Sequence, residues 1–457
     1  MTGFLIGLIV TMIVVWLIIK KYQPHTVLLL AGLFLLAATL VVNPDSSILY
    51  EDAQSTGWVG FDIFAYVEGA LANRAAGLGL IIMAAGGFAR YMDQIGSTDA
   101  MVSVCIKPLK LLSAPYVVLA LGYVVGQILN IFIPSAAGLA MLLLVTFFPM
   151  LVRLGVSPAA AAAMIGTTAV LDLGPASGAA NLAAKTAGLD PAIYFAQHQI
   201  PISIPVILVI AALTYVTARY FDRRDGHVVV AEKVGETPET EPSAKAPAIY
   251  ALLPMIPLAL LLVFSKLLVS SIKLDVVTAM VLGALLGLFC ELIRLRNARV
   301  ALKGFMAFFE GMGRMFATIV SLIICTETFA AGLQTIGAVE FMIDAAREGG
   351  FGIVAMTLVM CAIVAVTAVI TGSGNAAFFS FGSLAPNITG NFGVPAVSML
   401  LPMQLTAGLA RSMSPVAGVI IAVSDAGQCS PIEIVRRTAI PVIGGILVVL
   451  IFGAFTV

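Results

Sequence analysis

Apolar runs close to twenty residues long recur along the whole of this chain, beginning with Thr2 to Ile19 and Thr26 to Val42. A run of that length matches the hydrocarbon thickness of a bilayer, and a helix satisfies all of its own backbone groups there. The expected fold class is therefore an all-α polytopic membrane protein. Composition agrees, with 60% hydrophobic and 11% charged side chains and a mean hydropathy of +1.08. Lys plus Arg equal Asp plus Glu at 24 each, so no basic excess points to nucleic acid as a partner. Cys105, Cys290, Cys325, Cys361 and Cys429 are scattered without a metal or redox spacing, and read as packing residues. The first run is followed by Lys20-Lys21 and has no small-residue cleavage site, so it reads as a retained span.

The exception to the apolar pattern is Gln404 to Gly418, which carries Arg411, Ser412, Ser414 and Pro415 between apolar flanks. An arginine at membrane depth costs about 2.5–3.5 kcal/mol on insertion scales, and Pro415 leaves a backbone carbonyl that lipid cannot satisfy. Such a stretch must face protein or water. Helices broken in mid-membrane around polar groups are how secondary transporters build their sites.

A second version of the stretch lies upstream. Pro175, Gly178, Pro191, Ile200 and Pro201 recur as Pro415, Gly418, Pro431, Ile440 and Pro441 at a constant offset of 240 residues. Phe88-Ala89 and Ile95-Gly96 recur as Phe329-Ala330 and Ile336-Gly337, and Glu68-Gly69 recurs as Glu310-Gly311. Ser135 and Gly155-Val156 match Ser373 and Gly393-Val394. The chain reads as two copies of one unit, 1–221 and 247–457, joined by a hydrophilic linker at 222–246.

Each copy is expected to hold five crossings and one re-entrant helical hairpin. In the first copy the spans are Gly3 to Ile19, Thr26 to Val42, Ala75 to Arg90 after an interfacial helix at Phe61 to Arg74, a broken span from Val156 to Thr186, and Pro201 to Ala218. An arm from Thr98 to Leu112 precedes a hairpin over Pro115 to Arg153. The second copy repeats the order, with spans at Ile249 to Phe264, Val276 to Leu292 and Phe316 to Leu333 and an arm holding Glu340, Asp344 and Arg347. Its hairpin, Phe351 to Asn387, precedes a broken span, Val394 to Val423, and a last span, Pro441 to Phe455. Five crossings per copy is odd, so the copies should be inverted. With the amino terminus outside, only Arg74, Lys185, Lys266, Lys273 and Arg347 of the 24 basic residues fall outside, with Arg411 in the membrane. The first hairpin then opens from the cytoplasm and the second from outside.

Two hairpin tips and two breaks should meet near the midplane. The first tip offers Ser135, and the second Thr371, Ser373, Gly374 and Asn375; the breaks add Ser177, Gly178, Ser412 and Ser414. Helix ends there expose unpaired N–H groups that can hold an anion, although Gly and Ser also serve close helix packing. Asp172 and Arg411 stand at nearly equivalent places, either as a structural bridge or with Arg411 receiving a substrate carboxylate while Asp172 titrates or pairs with it in the empty carrier. Lys185 reads as a snorkelling residue, and Phe378 and Phe379 as packing. Without a His-Glu-x-x-His or a Cys/His cluster, neither a metal, a cofactor nor enzyme chemistry is indicated.

The blocks Thr371 to Phe379, Leu409 to Gly418 and Ser430 to Thr438 resemble the signatures of the DcuC family of anaerobic four-carbon dicarboxylate carriers, and the similarity runs nearly end to end. The resemblance implies the ion-transporter superfamily fold, a homodimer of scaffold and transport domains in the bacterial inner membrane, and an elevator mechanism carrying succinate, fumarate or malate. Related carriers outside the family read Ser-Asn-Thr at both tips; here the tips read Ser135-Ala136-Ala137 and Ser373-Gly374-Asn375. A carrier of another small anion, such as a short monocarboxylate, and a channel or membrane enzyme are the competing classes.

Overall fold

In the computed structural model, residues 2–20, 22–43, 48–50, 54–227, 246–265, 268–269, 271–341 and 352–455 are described. Among these every regular element is helical, and eight helices are long and apolar enough to cross a membrane. The chain opens with α1 (Thr2–Ile19) and α2 (Pro24–Val42), then runs as one long helix, α3 (Val59–Gln94). The arm is α4 (Ser97–Ile106), closed by a 3-10 turn at Lys107–Leu111. A hairpin follows, with α5 (Pro115–Phe132) going in and α6 (Ala136–Thr146) and α7 (Phe148–Arg153) returning. The broken element is α8 (Pro158–Gly166) and α9 (Gly178–Thr186), and α10 (Pro191–Arg224) ends the first half.

The second half repeats this order. A 3-10 segment, Ala248–Met255, leads into α11 (Ile256–Val263), followed by α12 (Val276–Leu295) and the long α13 (Ala298–Thr335). Its hairpin is α14 (Ile353–Thr371) returning as α15 (Gly374–Gly382) and α16 (Ala385–Asn391), and its broken element is α17 (Val397–Arg411) and α18 (Gly418–Ala426). The last helix is α19 (Pro431–Phe455).

Starts are written in the sequence. Pro24, Pro115, Pro158 and Pro191 occupy first helical turns, where a missing N–H costs nothing. Asp275 and Asn297 cap α12 and α13 by accepting backbone N–H bonds.

Several boundaries depart from expectation. No loop separates the interfacial helix expected at Phe61 to Arg74 from the following span: Val59–Arg74 is helical and joins the helix that begins at Leu80. Instead the helix carries a π segment at Ala75–Gly79 with a kink at Gly77 (φ −92°, ψ −105°), and α13 carries one at Phe316–Val320, offset by 241 residues. Helix α10 likewise starts ten residues before Pro201, and α19 ten before Pro441, both prolines being tolerated inside their helices. Residues 222–224 belong to α10 and not to a linker, because Asp222 is buried and paired with Arg437 at 2.7 Å. The linker expected at 222–246 lies largely outside the described residues, as do Asp344 and Arg347 of the second arm.

Two groups of helices emerge. In the first, α2 crosses α13 with Gly32 against the Thr328 and Phe329 backbone, and α12 crosses α3 with Gly283 against the Phe88 ring. Small residues let these helices approach closely. In the same group Arg74 of α3 pairs with Glu327 of α13 at 2.6 Å, and Gly86 of α3 receives the Met315 side chain of α13. The second group contains the hairpins, the broken elements, α10 and α19. At one end it is tied by Asp222, which accepts from Arg437, from the Ser157 hydroxyl at 2.6 Å and from the Tyr116 hydroxyl at 3.1 Å.

Candidate functional site at the crossing of two helix breaks

The first break runs from Thr167 to Ser177. Helix α8 stops at Gly166, where the Thr167 and Thr168 hydroxyls donate to the Met164 and Ile165 carbonyls and Gln127 donates to the Thr167 carbonyl at 2.7 Å. Asp172 (φ +48°) and Gly174 (φ +86°) then turn the chain through left-handed backbone into Pro175. Helix α9 restarts with Ser177 as its cap, and Asn181 reaches back to the Pro175 and Ser177 carbonyls at 2.8 Å. The break thus begins earlier than Gly174-Pro175, because the threonines already divert the helix end.

The second break is shorter, Ser412 to Ala417. Tight turns tie the Ser412, Met413 and Ser414 amides to the Leu409, Ala410 and Arg411 carbonyls, and Thr438 donates to the Ser412 carbonyl at 2.8 Å. Pro415 keeps α17 from running on through the break, and helix resumes only at Gly418.

The two breaks touch. Arg411 donates to the Ala169 carbonyl, the Gly408 backbone lies directly against the Val170 carbonyl, and Gln404 donates to the Asp172 carbonyl at 3.1 Å. A side chain at Gly408 would collide with that carbonyl, so glycine is required for the approach. Asp172 places Oδ2 near the same glycine, at 3.7 Å from where a Cβ would stand. Among the described residues its carboxylate takes no hydrogen bond and no ion pair within 4 Å, although Arg411 is close enough to act on it electrostatically.

Both tips meet this crossing. At the first, Ile131 packs against Gly174. At the second, Gly372 (φ +71°) lies 2.8 Å, measured from its would-be Cβ, from the Ala417 backbone, and Gly374 similarly 2.6 Å from the Ala407 carbonyl. Ser135 and Ser373 are equivalent caps, accepting from the Gly138 and Ala376 amides at 3.1 and 3.2 Å. A capping oxygen used this way keeps its own O–H for another partner. Thr371 is spent locally, donating to the Thr367 carbonyl.

Ser177, Ser412 and Ser414 are buried, Arg411, Asp172, Asn375 and Gly178 half-buried, and Ser135 and Lys185 exposed. Asn375 has no hydrogen-bonding partner among the described residues. Phe378 and Phe379 are buried packing residues. The helices α6, α9, α15 and α18 all start at a tip or a break, so four sets of unpaired N–H groups and one guanidinium serve the region. No group of three or more His, Cys, Asp or Glu suited to a metal occurs among the described residues.

Sequence reasoning overlooked Gln199 and gave Gln404 no role. Both are buried polar residues set among apolar helical sequence, which is the signal that could have found them.

The model of a family described as C4-dicarboxylate anaerobic carriers matches residues 3–457. A probable anaerobic C4-dicarboxylate transporter of Vibrio cholerae is 36% identical over 99% of this chain and 97% of its own. The anaerobic C4-dicarboxylate transporter of Escherichia coli K12 is 34% identical over 98% and 95%. Among solved structures, the YdaH transporter of Alcanivorax borkumensis superposes with a TM-score of 0.63 at 15% identity, covering 95% of this chain and 98% of that one. The MtrF structure of Neisseria gonorrhoeae, titled as one of a class of antimetabolite efflux pumps, gives 0.57 at 15% identity, with coverages of 94% and 95%. At these identities the structural likeness speaks for the fold.

Proposed function

This chain belongs to the DcuC family of C4-dicarboxylate anaerobic carriers, and from that premise we propose that it carries succinate, fumarate or malate across the bacterial inner membrane through the crossing of its two breaks. The observation that carries the reading is Arg411. It reaches from the end of α17 into the other half's break, beside helix starts that offer unpaired amides. A dianion leaving water needs at least one full positive charge, and guanidinium grips a carboxylate through two parallel bonds. One substrate carboxylate is received by Arg411. The other is met by the second tip, where Ser373 keeps its O–H, Asn375 its amide and the first turn of α15 its N–H groups. Asp172, unpaired beside Gly408, takes up a proton as the second carboxylate enters.

The two halves act as inverted repeats. Matching π segments, matching serine caps, and the left-handed glycines Gly96 with Gly337 and Gly155 with Gly393 support this reading. The long crossing helices with α1, α2, α11 and α12 form a scaffold and the dimer contact, and the hairpins with the broken elements move against it as an elevator. The site needs no metal or cofactor, and the chain is a carrier and not an enzyme.

A second reading has its own observation: among the described residues Arg411 is the one guanidinium at the crossing, and with Asp172 protonated its single positive charge balances one carboxylate, as on a monocarboxylate. Counterflow of labelled succinate in proteoliposomes against unlabelled succinate, fumarate, malate, lactate and propionate separates the two. Trans-acceleration by the four-carbon diacids alone is expected. Acceleration by lactate or propionate alone rejects the dicarboxylate reading, and unitary currents without counterflow reject a carrier.

A further inference from the structure

We propose that Gln404, acting with Gln199 and Tyr194, is a positioning residue that sets the spacing between Arg411 and Asp172 and thereby the length of diacid that the carrier prefers. This rests on the placement of the site at the crossing of the breaks.

The three side chains are almost fully enclosed, with exposures of 2%, 0% and 0%. They form one chain of hydrogen bonds. The Gly174 amide donates to Gln199 Oε1 at 3.0 Å, and Gln199 Nε2 donates to Gln404 Oε1 at 3.1 Å. The Tyr194 hydroxyl donates to the same oxygen at 2.7 Å, and Gln404 Nε2 donates to the Asp172 carbonyl at 3.1 Å. Each bond has a reason in the backbone. Turning through left-handed conformations at Asp172 and Gly174 strips this stretch of helical partners, and a buried amide or carbonyl there must be satisfied by side chains. The π segment Tyr194–Gln199 adds a residue to its turn and presents its two end residues, Tyr194 and Gln199, to Gln404.

The arrangement couples the halves. Gln404 sits two turns before Arg411 on α17, a rigid helix, and holds the backbone of Asp172 in the opposite half. One helix therefore fixes the cation directly and the carboxylate through its main chain. Breaking the tie lets the first break shift relative to Arg411, which matters most to a ligand that spans a defined length.

The test is counterflow in proteoliposomes with labelled succinate, using malonate, succinate and glutarate as competitors to rank three-, four- and five-carbon diacids. Gln404→Leu removes the tie to the Asp172 carbonyl and strands the Gln199 amide and the Tyr194 hydroxyl, and is expected to raise the half-saturation for succinate about tenfold or more and to flatten the preference among the three lengths. Tyr194→Phe, which leaves Gln404 Oε1 its bond from Gln199, is expected to stay within about threefold. A folding role alone would lower the yield of dimer and leave the length preference untouched. If Gln404→Leu does not fold, Gln404→Asn keeps the amide but withdraws it by one methylene, and the same outcomes apply. Unchanged half-saturation and unchanged length preference overturn the inference. Arg411→Lys is measured alongside: if it binds poorly while the Gln404 variants are normal, only the positioning role falls; if it too is normal, the site at the crossing falls and the inference with it.

Discussion

The two breaks stand at matching places in the two halves, yet they are built differently. The second spans six residues and closes largely on its own turns, with added bonds from Thr438 to the Ser412 carbonyl and from the Ser412 hydroxyl to the Gly166 carbonyl of the other half. The first spans eleven, passes through two left-handed residues, and depends on side chains from elsewhere, among them Gln404 of the other half. The repeated prolines, Pro175 and Pro415, determine that a helix stops. The unrepeated residues, Asp172 in one half and Arg411 in the other, set the two stops apart chemically. The second break thus leans less on the opposite half than the first does.

This contrast is open to attack. The largest effect is expected at Arg411: Arg411→Lys should weaken succinate binding by about 2–5 kcal/mol in dimers that still fold, read by counterflow, and near-normal affinity would leave Arg411 as a scaffold charge. Next is Gly372 in the second tip, whose positive φ and contact with the Ala417 backbone allow no Cβ. Gly372→Ala should cost about 1–2 kcal/mol in conformational strain alone, measured as thermal stability in detergent. The matching place in the first tip is Pro134, so no such sensitivity is expected there. Asp172→Asn should change thermal stability by less than about 1 kcal/mol, since its carboxylate supports no ion pair, while flattening the pH dependence of succinate transport; a large loss of stability with an unchanged pH profile would return Asp172 to a structural role. The smallest pair sharpens the symmetry itself: Ser135→Ala and Ser373→Ala should each cost about 1 kcal/mol as lost caps, and only the second should also impair transport.

Much of this was legible in the sequence because prolines, glycines and capping serines carry local instructions. The hairpins, both breaks and the equivalence of Ser135 with Ser373 follow from such residues. The π junctions within α3 and α13 were hidden, since no proline marks either of them and in α3 the chain bends at Gly77 alone. Gln199 and Gln404 were hidden for a different reason. Their roles depend on which backbone groups another half leaves unpaired, and that is a tertiary fact. The family matched the chain from end to end, so the resemblance carried by the blocks at Thr371 to Phe379 and Leu409 to Gly418 was sound.

The pair Arg74–Glu327 bears on how such a chain assembles without error. The same crossing occurs twice between the long helices: at one place charge meets charge, and at the other Met315 fills the space over Gly86. Arg74 corresponds to Met315, and Gly86 to Glu327, at the 241-residue offset. If two first halves paired during insertion, each arginine would face a glycine. If two second halves paired, each glutamate would face a methionine. Either error strands half-buried charges without a partner, which costs several kcal/mol, whereas a first half with a second half leaves none. The asymmetry in an otherwise repeated scaffold therefore favours the pairing of a first half with a second half over the pairing of like halves.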